Sequence, residues 1–187
     1  MDIELADLPR KAAAHPAVPV FFVVGCLLLG AAAWWLAPRR GWVRGPAVLA
    51  GCGLALALAV TVVRPAGHFS AAGLDPFSAL QECVAGSLSL ARTYEKLNVV
   101  MLLPFAFFAT LATRRPVLVA ASCLLVSGFV EYVQAATGGG TCQGRDLVHN
   151  IIGGVLGAVL SVVLLGRQTR RSEPITAGRP AGPGSSR

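Results

Sequence analysis

Long apolar blocks separated by short charged segments organise this chain. Five such blocks lie at Val18–Ala37, Pro46–Val63, Leu97–Ala112, Pro116–Ala136 and Leu147–Leu165. A helix needs about 20 predominantly apolar residues to cross the roughly 30 Å hydrocarbon core of a bilayer. The pattern therefore predicts an all-α polytopic membrane protein, a bundle of five transmembrane helices of which the third is the shortest.

The segments around these blocks divide the chain into three parts. Residues 1–45 carry the first helix, residues 46–165 form the main membrane domain, and residues 166–187 form a basic tail rich in Arg, Pro, Gly and Ser that is predicted to be disordered. The first block also resembles a cleavable signal peptide, and residues 23–26 loosely resemble a lipoprotein cleavage site. We expect a retained helix, because the apolar run continues to Leu36, beyond the roughly 7–15 residues of a signal core.

The composition agrees with a membrane protein. Of 187 residues, 55% are hydrophobic and 13% are charged, whereas about 25% are charged in an average soluble domain. The net charge of +7 would suit nucleic acid, but the arginines flank the apolar blocks, as they do where they set membrane topology. We therefore expect membrane lipids as partners and no nucleic acid.

The basic residues are distributed unequally between the two sides of a five-helix chain. One side holds six of them, spread over longer segments, and the other holds eight arginines close to the membrane. By the positive-inside rule the arginine-rich side is cytoplasmic. This predicts a cytoplasmic C-terminus, with the connection 64–96 and the turn 138–145 facing outward. The eight arginines are Arg39, Arg40, Arg44, Arg114, Arg115, Arg167, Arg170 and Arg171.

Polar side chains interrupt the last three apolar blocks where lipid-facing helices would not keep them. The fourth and fifth blocks fold back on each other at the glycine-rich turn 138–140, and their polar residues recur at helical spacing on facing sides. The third block adds a polar residue at similar depth and has Pro104 near its middle, where a neighbouring helix must satisfy the carbonyl that proline frees. The converging residues, which are the candidate ligand-binding set, are Asn98, Glu131, Gln134, Asp146, His149 and Asn150.

The acidic residues have both functional and structural interpretations. A charged residue costs about 2.5–3.5 kcal/mol at the centre of a membrane helix on insertion scales, so Glu131 is a candidate functional group or a carboxyl tied to a neighbouring helix. Asp146 is either a ligand or a first-turn acid that stabilises its helix by roughly 0.5–2 kcal/mol. His149 borders the polar face, where a hydrogen-bonded structural histidine is the commoner case. Gly153 and Gly157 form a small-residue seam for helix packing.

The five cysteines fall into two groups. Three lie inside apolar blocks, and the other two, Cys83 and Cys142, lie in segments predicted to face outward, where a disulfide can persist. We expect these two to be bridged. No Cys or His spacing suits zinc, and neither a phosphate-binding loop nor a nucleophile elbow is present, so we expect no metal ion and no cofactor.

Four short motifs follow one another across residues 46–165. They resemble, in order and spacing, those of the VanZ-like family, small bacterial membrane proteins named for a teicoplanin-resistance accessory protein. Ala106 stands where the family has glycine, and Leu102 where it has phenylalanine. The motifs are Asp75-Pro76-Phe77, Asn98-x-x-Met101-Leu102-x-Pro104-x-Ala106, Glu131-x-x-Gln134 and Asp146-x-x-x-Asn150-x-x-Gly153-x-x-x-Gly157.

The resemblance implies a four-helix core, to which the first helix is an addition, and a role in the bacterial cell envelope that can affect teicoplanin susceptibility. We expect a non-enzymatic protein that binds a lipid, a lipid-linked wall precursor or the glycopeptide itself at the outer leaflet. One alternative is an intramembrane enzyme that modifies an envelope lipid with Glu131 or Asp146 as acid or base. Another is a small transporter in which Glu131 relays protons.

Overall fold

The structure, a computed structural model, describes residues 17–62, 98–137 and 144–172. Apart from short turns these residues are helical, which confirms the prediction of an all-α membrane bundle. Four helices are long and apolar enough to cross a membrane, and a shorter apolar segment spans Asn98–Thr113. The helices are α1 (Ala17–Arg40), α2 (Arg44–Val62), α3 (Leu103–Thr113), α4 (Pro116–Thr137) and α5 (Gly144–Ser172).

The third apolar segment is broken near its start. Residues 98–101 are helical, the chain bends at Leu102, and α3 begins at Leu103. Pro104 therefore lies in the first turn of α3, whereas the apolar pattern predicts a position in the middle of the helix. In a first turn the missing N–H has no consequence, because the first four N–H groups of a helix have no intrahelical partner. The Leu102 carbonyl accepts a hydrogen bond from the Ala106 N–H at 3.0 Å.

Consecutive helices run antiparallel, and α3 lies at the centre against α2, α4 and α5. The turn between α1 and α2 contains Gly41 with a φ of 67°, a left-handed conformation that glycine adopts without strain. Trp42 then donates its N–H to the Ala37 carbonyl at 2.8 Å. This hydrogen bond closes the turn and sends α2 back along α1.

Small side chains fill most of the interior. In a bilayer the lipid tails are as apolar as leucine, so membrane helices associate through close backbone approach and not through hydrophobic exclusion. Large apolar side chains such as Leu27, Val117 and Leu125 point outward instead, where lipid covers them. The main core consists of Ala50, Ala57, Leu102, Ala106, Ala109, Val119 and Cys123.

Some helix ends differ from the predicted blocks. The last helix continues to Ser172, so residues 166–172 are helical and do not belong to an irregular tail. Glycine at position 166 is tolerated inside a helix, and the next proline is Pro174, so no residue before it forces the helix to end. The rest of the tail, Asp75-Pro76-Phe77 and the Cys83–Cys142 pair lie outside the described residues. The other three cysteines, Cys26, Cys52 and Cys123, are free.

Candidate functional site

The antiparallel packing of α4 on α5 sets which polar residues face each other. A Cβ added at Gly154 would lie 2.7 Å from the Cys123 Sγ, so these two positions are in contact. One turn closer to the connection between the helices, Asn150 Nδ2 donates a hydrogen bond to Ser127 Oγ at 3.0 Å. A further step of one turn on each helix brings Glu131 to the level of Asp146.

The packing of α5 on α3 brings in the third polar element. A Cβ added at Gly153 would overlap the Val99 carbonyl oxygen and lie 2.8 Å from its carbonyl carbon. One turn on, a Cβ at Gly157 would lie 3.0 Å from the Phe107 N and 3.1 Å from the Ala106 Cβ. Both contacts advance in the same direction along the two helices, so α5 and α3 are parallel. Asn98, which precedes Val99, therefore lies within about half a turn of the level of Asn150.

Six polar residues lie at this end of the bundle, and we call them the polar cluster. All but Asp146, which is half-buried, are buried in the bundle. Gln134 lies on α4 nearly one turn beyond Glu131, but its side chain is outside the described part of the structure. The polar cluster consists of Asn98, Ser127, Glu131, Asp146, His149 and Asn150.

Open hydrogen-bonding capacity remains among the buried atoms of the polar cluster. Asn150 Oδ1 and His149 Nδ1 make no hydrogen bond to any described residue, while Glu131 and Asp146 each interact with other groups. A buried polar atom without a partner costs about 1–3 kcal/mol. The Ser127 bond uses the Asn150 amide nitrogen and leaves its oxygen as an acceptor. The site can therefore accept a hydrogen bond from an additional group.

The residues of α5 are distributed over its two faces differently from what the sequence pattern predicts. That pattern places Asn150, Gly153 and Gly157 on one face. In the structure Gly153 contacts Val99, just before α3, and Gly157 contacts α3, whereas Asn150 and Gly154 contact α4. His149 lies one turn before Gly153, on the side toward α3, and only 1% of its surface is exposed. The i, i+4 spacing from Gly153 is the signal that identifies this histidine as buried.

Sequence reasoning also missed the partner of Asn150 and the buried hydroxyl of Thr110, while Ser161 continues the small-residue seam of Gly153 and Gly157. Ser127 lies on the polar face of α4, but its bond to Asn150 depends on the antiparallel register. Thr110 and Ser161 are buried, and their hydroxyl oxygens have no hydrogen-bond partner among the described residues. No three His, Cys, Asp or Glu side chains within residues 17–62, 98–137 and 144–172 are placed to hold a metal ion.

Comparison with known proteins identifies the family. The family model described as VanZ/LLP1 matches residues 47–165, a range that includes nearly all of α2, the broken segment with α3, the whole of α4 and most of α5, but not α1. No curated protein and no solved structure matches the chain. The matched range covers more than half of the sequence and contains the whole polar cluster, and the chain belongs to the VanZ/LLP1 family.

Proposed function

We propose that this membrane protein binds the head group of a bacterial envelope lipid or lipid-linked wall precursor in the polar cluster. Through that binding it changes the susceptibility of the cell to glycopeptides such as teicoplanin. The observation that carries the proposal is the pair of buried atoms with open hydrogen-bonding capacity, Asn150 Oδ1 and His149 Nδ1. A ligand that supplies their partners would remove the cost of leaving them unpaired.

The depth of the cluster supports a lipid as the ligand. Asn150 lies about 9 Å along α5 from its first residue, Gly144, which puts it below a membrane surface but near one end of the bundle. Residues 98–113 rise about 24 Å, and Arg114 marks the opposite surface. Asn98 is thus also within the outer part of a roughly 30 Å hydrocarbon core. A head group that enters from the near surface can reach the cluster while its acyl chains remain in the bilayer.

The chemistry of the cluster favours a head group with hydrogen-bond donors. Asn150 Oδ1 is an acceptor, and the carboxyl groups of Glu131 and Asp146 are acceptors when ionised. Hydroxyl, amide and amine groups of sugars, peptides and amino lipids donate to such atoms. The exposed apolar side chains Leu125 and Phe129 on α4 offer a surface for the attached acyl chains.

Replacement of Glu131 by glutamine is expected to abolish retention of this lipid while the protein keeps its fold. Glutamine preserves the shape of the side chain but removes its charge, and a hydrogen bond to a charged group contributes about 1.5–3 kcal/mol. We expect roughly tenfold less co-purifying lipid or lower still. Mass spectrometry of lipids bound to the purified protein measures this, with Tyr132→Phe as a control because Tyr132 is exposed on the same helix.

Three other outcomes would contradict this prediction. Equal retention by wild type and Glu131→Gln would show that the Glu131 carboxyl does not contribute to lipid binding. Equal loss in Glu131→Gln and Tyr132→Phe would point to a general effect on α4. Accumulation in Glu131→Gln of a lipid that the wild type converts would indicate an intramembrane enzyme, with Glu131 as its acid or base.

We further propose that the polar cluster opens to the outer leaflet, as the arginine distribution supports. In a background without native cysteines, a membrane-impermeant thiol reagent should label Ser70→Cys in intact cells and leave Thr176→Cys unlabelled until the cells are broken. The reverse labelling would place the cluster at the cytoplasmic surface and exclude extracellular ligands.

A further inference from the structure

Two turns of the bundle lie side by side at the end opposite the polar cluster. The turn between α1 and α2 is joined to the end of α3 by a hydrogen bond from the Val43 N–H to the Ala112 carbonyl, at 3.1 Å. A second small core beneath this contact contains Ala37, Ala47 and Ala112, with Trp42 packed against it. The turn between α3 and α4 begins one residue after Ala112, beyond Thr113, so both turns have fixed positions relative to each other.

These turns carry five exposed arginines, which we call the arginine platform. Within the described residues the acidic side chains are Glu131 and Asp146, and both lie at the other end of the bundle. No described carboxylate therefore compensates the positive charge of the platform. The platform consists of Arg39, Arg40, Arg44, Arg114 and Arg115.

Aromatic rings hold two of these guanidinium groups in place. The Arg39 guanidinium lies 3.7 Å from the centre of the Trp35 ring, and its Nη1 donates to the Trp35 carbonyl at 2.7 Å. The Arg44 guanidinium lies 5.1 Å from the centre of the Trp34 ring. A guanidinium stacked on a ring keeps its N–H groups available in the plane. Both tryptophans are exposed, as residues of an interface belt are.

The remaining three arginines have no such partner. The guanidinium groups of Arg40, Arg114 and Arg115 make no ion pair or side-chain hydrogen bond in the part of the chain that the structure describes. Arg114 has a φ of 56° and donates its backbone N–H to the Thr110 carbonyl at 2.8 Å, so the backbone of its turn is held. The platform thus combines a fixed backbone with free bidentate donors.

We propose that the arginine platform binds the phosphate groups of an anionic membrane lipid and prefers a lipid with two phosphates. Planar guanidinium groups match phosphate oxygens in a bidentate arrangement. The two adjoining turns offer separate donor groups, so two linked phosphates can occupy both at once, and the second contact becomes intramolecular. Acyl chains then lie along the exposed apolar surface of α1 beside Trp34 and Trp35. Orientation by the positive-inside rule requires only nearby charge, whereas this site requires the joined turns.

The test compares lipids and charge-matched variants on the full chain in detergent by native mass spectrometry. Cardiolipin should bind more tightly than phosphatidylglycerol, and phosphatidylcholine should bind least. The variant Arg114→Asn/Arg115→Gln should weaken cardiolipin binding by about 30-fold, on the order expected for two lost arginine contacts. Asparagine suits the left-handed position 114. The control Arg170→Gln/Arg171→Gln removes equal charge at the end of α5, beyond the level of the platform.

Several results would overturn the proposal. If the platform variant and the α5 control weaken cardiolipin binding equally, binding depends on net charge alone and not on the arginine platform. Equal binding of cardiolipin and phosphatidylglycerol would remove the preference for two phosphates. Displacement of cardiolipin by millimolar inorganic phosphate would assign the site to a free anion. If the Arg114/Arg115 variant fails to fold, Arg40→Gln, which changes an exposed residue at the end of α1, provides the same comparison and should weaken binding by a smaller factor.

Discussion

Replacing Gly153 by alanine is expected to remove most of the folded protein from the membrane. The added Cβ would overlap the Val99 carbonyl oxygen and lie 2.8 Å from its carbonyl carbon. These atoms belong to the backbone and cannot rotate away, so α5 and the start of the third segment must separate. Overpacking of a well-packed core costs about 1–3 kcal/mol, and occasionally more, and the backbone contact puts Gly153→Ala at the upper end of that range.

The measurement is the amount of monodisperse protein in mild detergent and its midpoint of thermal unfolding. Gly166→Ala is the matched control, because Gly166 lies on the same helix and a Cβ there would meet nothing within 4 Å. That control should be at least as stable as the wild type, since alanine favours a helix by roughly 0.8–1 kcal/mol over glycine. Wild-type yield and stability for Gly153→Ala would mean that α5 does not approach the third segment as described.

Replacing Asn150 by alanine is expected to lower lipid retention about tenfold and leave the fold nearly unchanged. The Asn150–Ser127 hydrogen bond joins two membrane helices, and such bonds contribute about 0.6 kcal/mol on average. The Ser127 hydroxyl can bond instead to the carbonyl one turn earlier on α4. The loss of Oδ1, in contrast, deprives the ligand of an acceptor in a buried site. We expect the bound lipid to fall about tenfold.

Ser127→Ala separates the hydrogen bond between α4 and α5 from the contact that Asn150 makes with the lipid. It removes the partner that fixes the orientation of the Asn150 amide but leaves the amide in the site, so lipid retention should fall less than in Asn150→Ala. Ser161→Ala is a control on α5, because Ser161 is buried away from the cluster. If Asn150→Ala unfolds, or if it retains lipid at the wild-type level, the amide serves helix packing alone.

The positions of the helices follow almost directly from the sequence. Apolar length is a strong signal, because lipid requires every backbone polar group to be satisfied within the helix. Apolar length does not reveal the break near Pro104. The apolar run continues through this residue without interruption, yet a new helix begins at Leu103. Hydropathy does not detect such a break, since the residues on both sides of it remain apolar.

The members of the polar cluster could be selected from the sequence, but their partners could not. Glu131 and Asn150 are conspicuous because polar groups in lipid are costly. That Asn150 contacts Ser127, and that His149 turns toward α3, depends on how α5 rotates between two neighbours. Gly153 and Gly154 fix this rotation by close contact with Val99 of the third segment and with α4 respectively. Two adjacent glycines have the same pattern for either rotation, so only the packed structure distinguishes them.

The broken third segment gives the protein a preferred membrane thickness. Charged residues, Lys96 before it and Arg114 after it, bound the apolar run, so this element cannot lengthen to match a thick bilayer. The α5 helix beside it is longer; a long helix accommodates by tilting, whereas a short one thins the lipid around it. The difference in length between the two elements is a hydrophobic mismatch that the surrounding lipid must accommodate. Lipids with shorter acyl chains relieve this mismatch, and thick bilayers increase it.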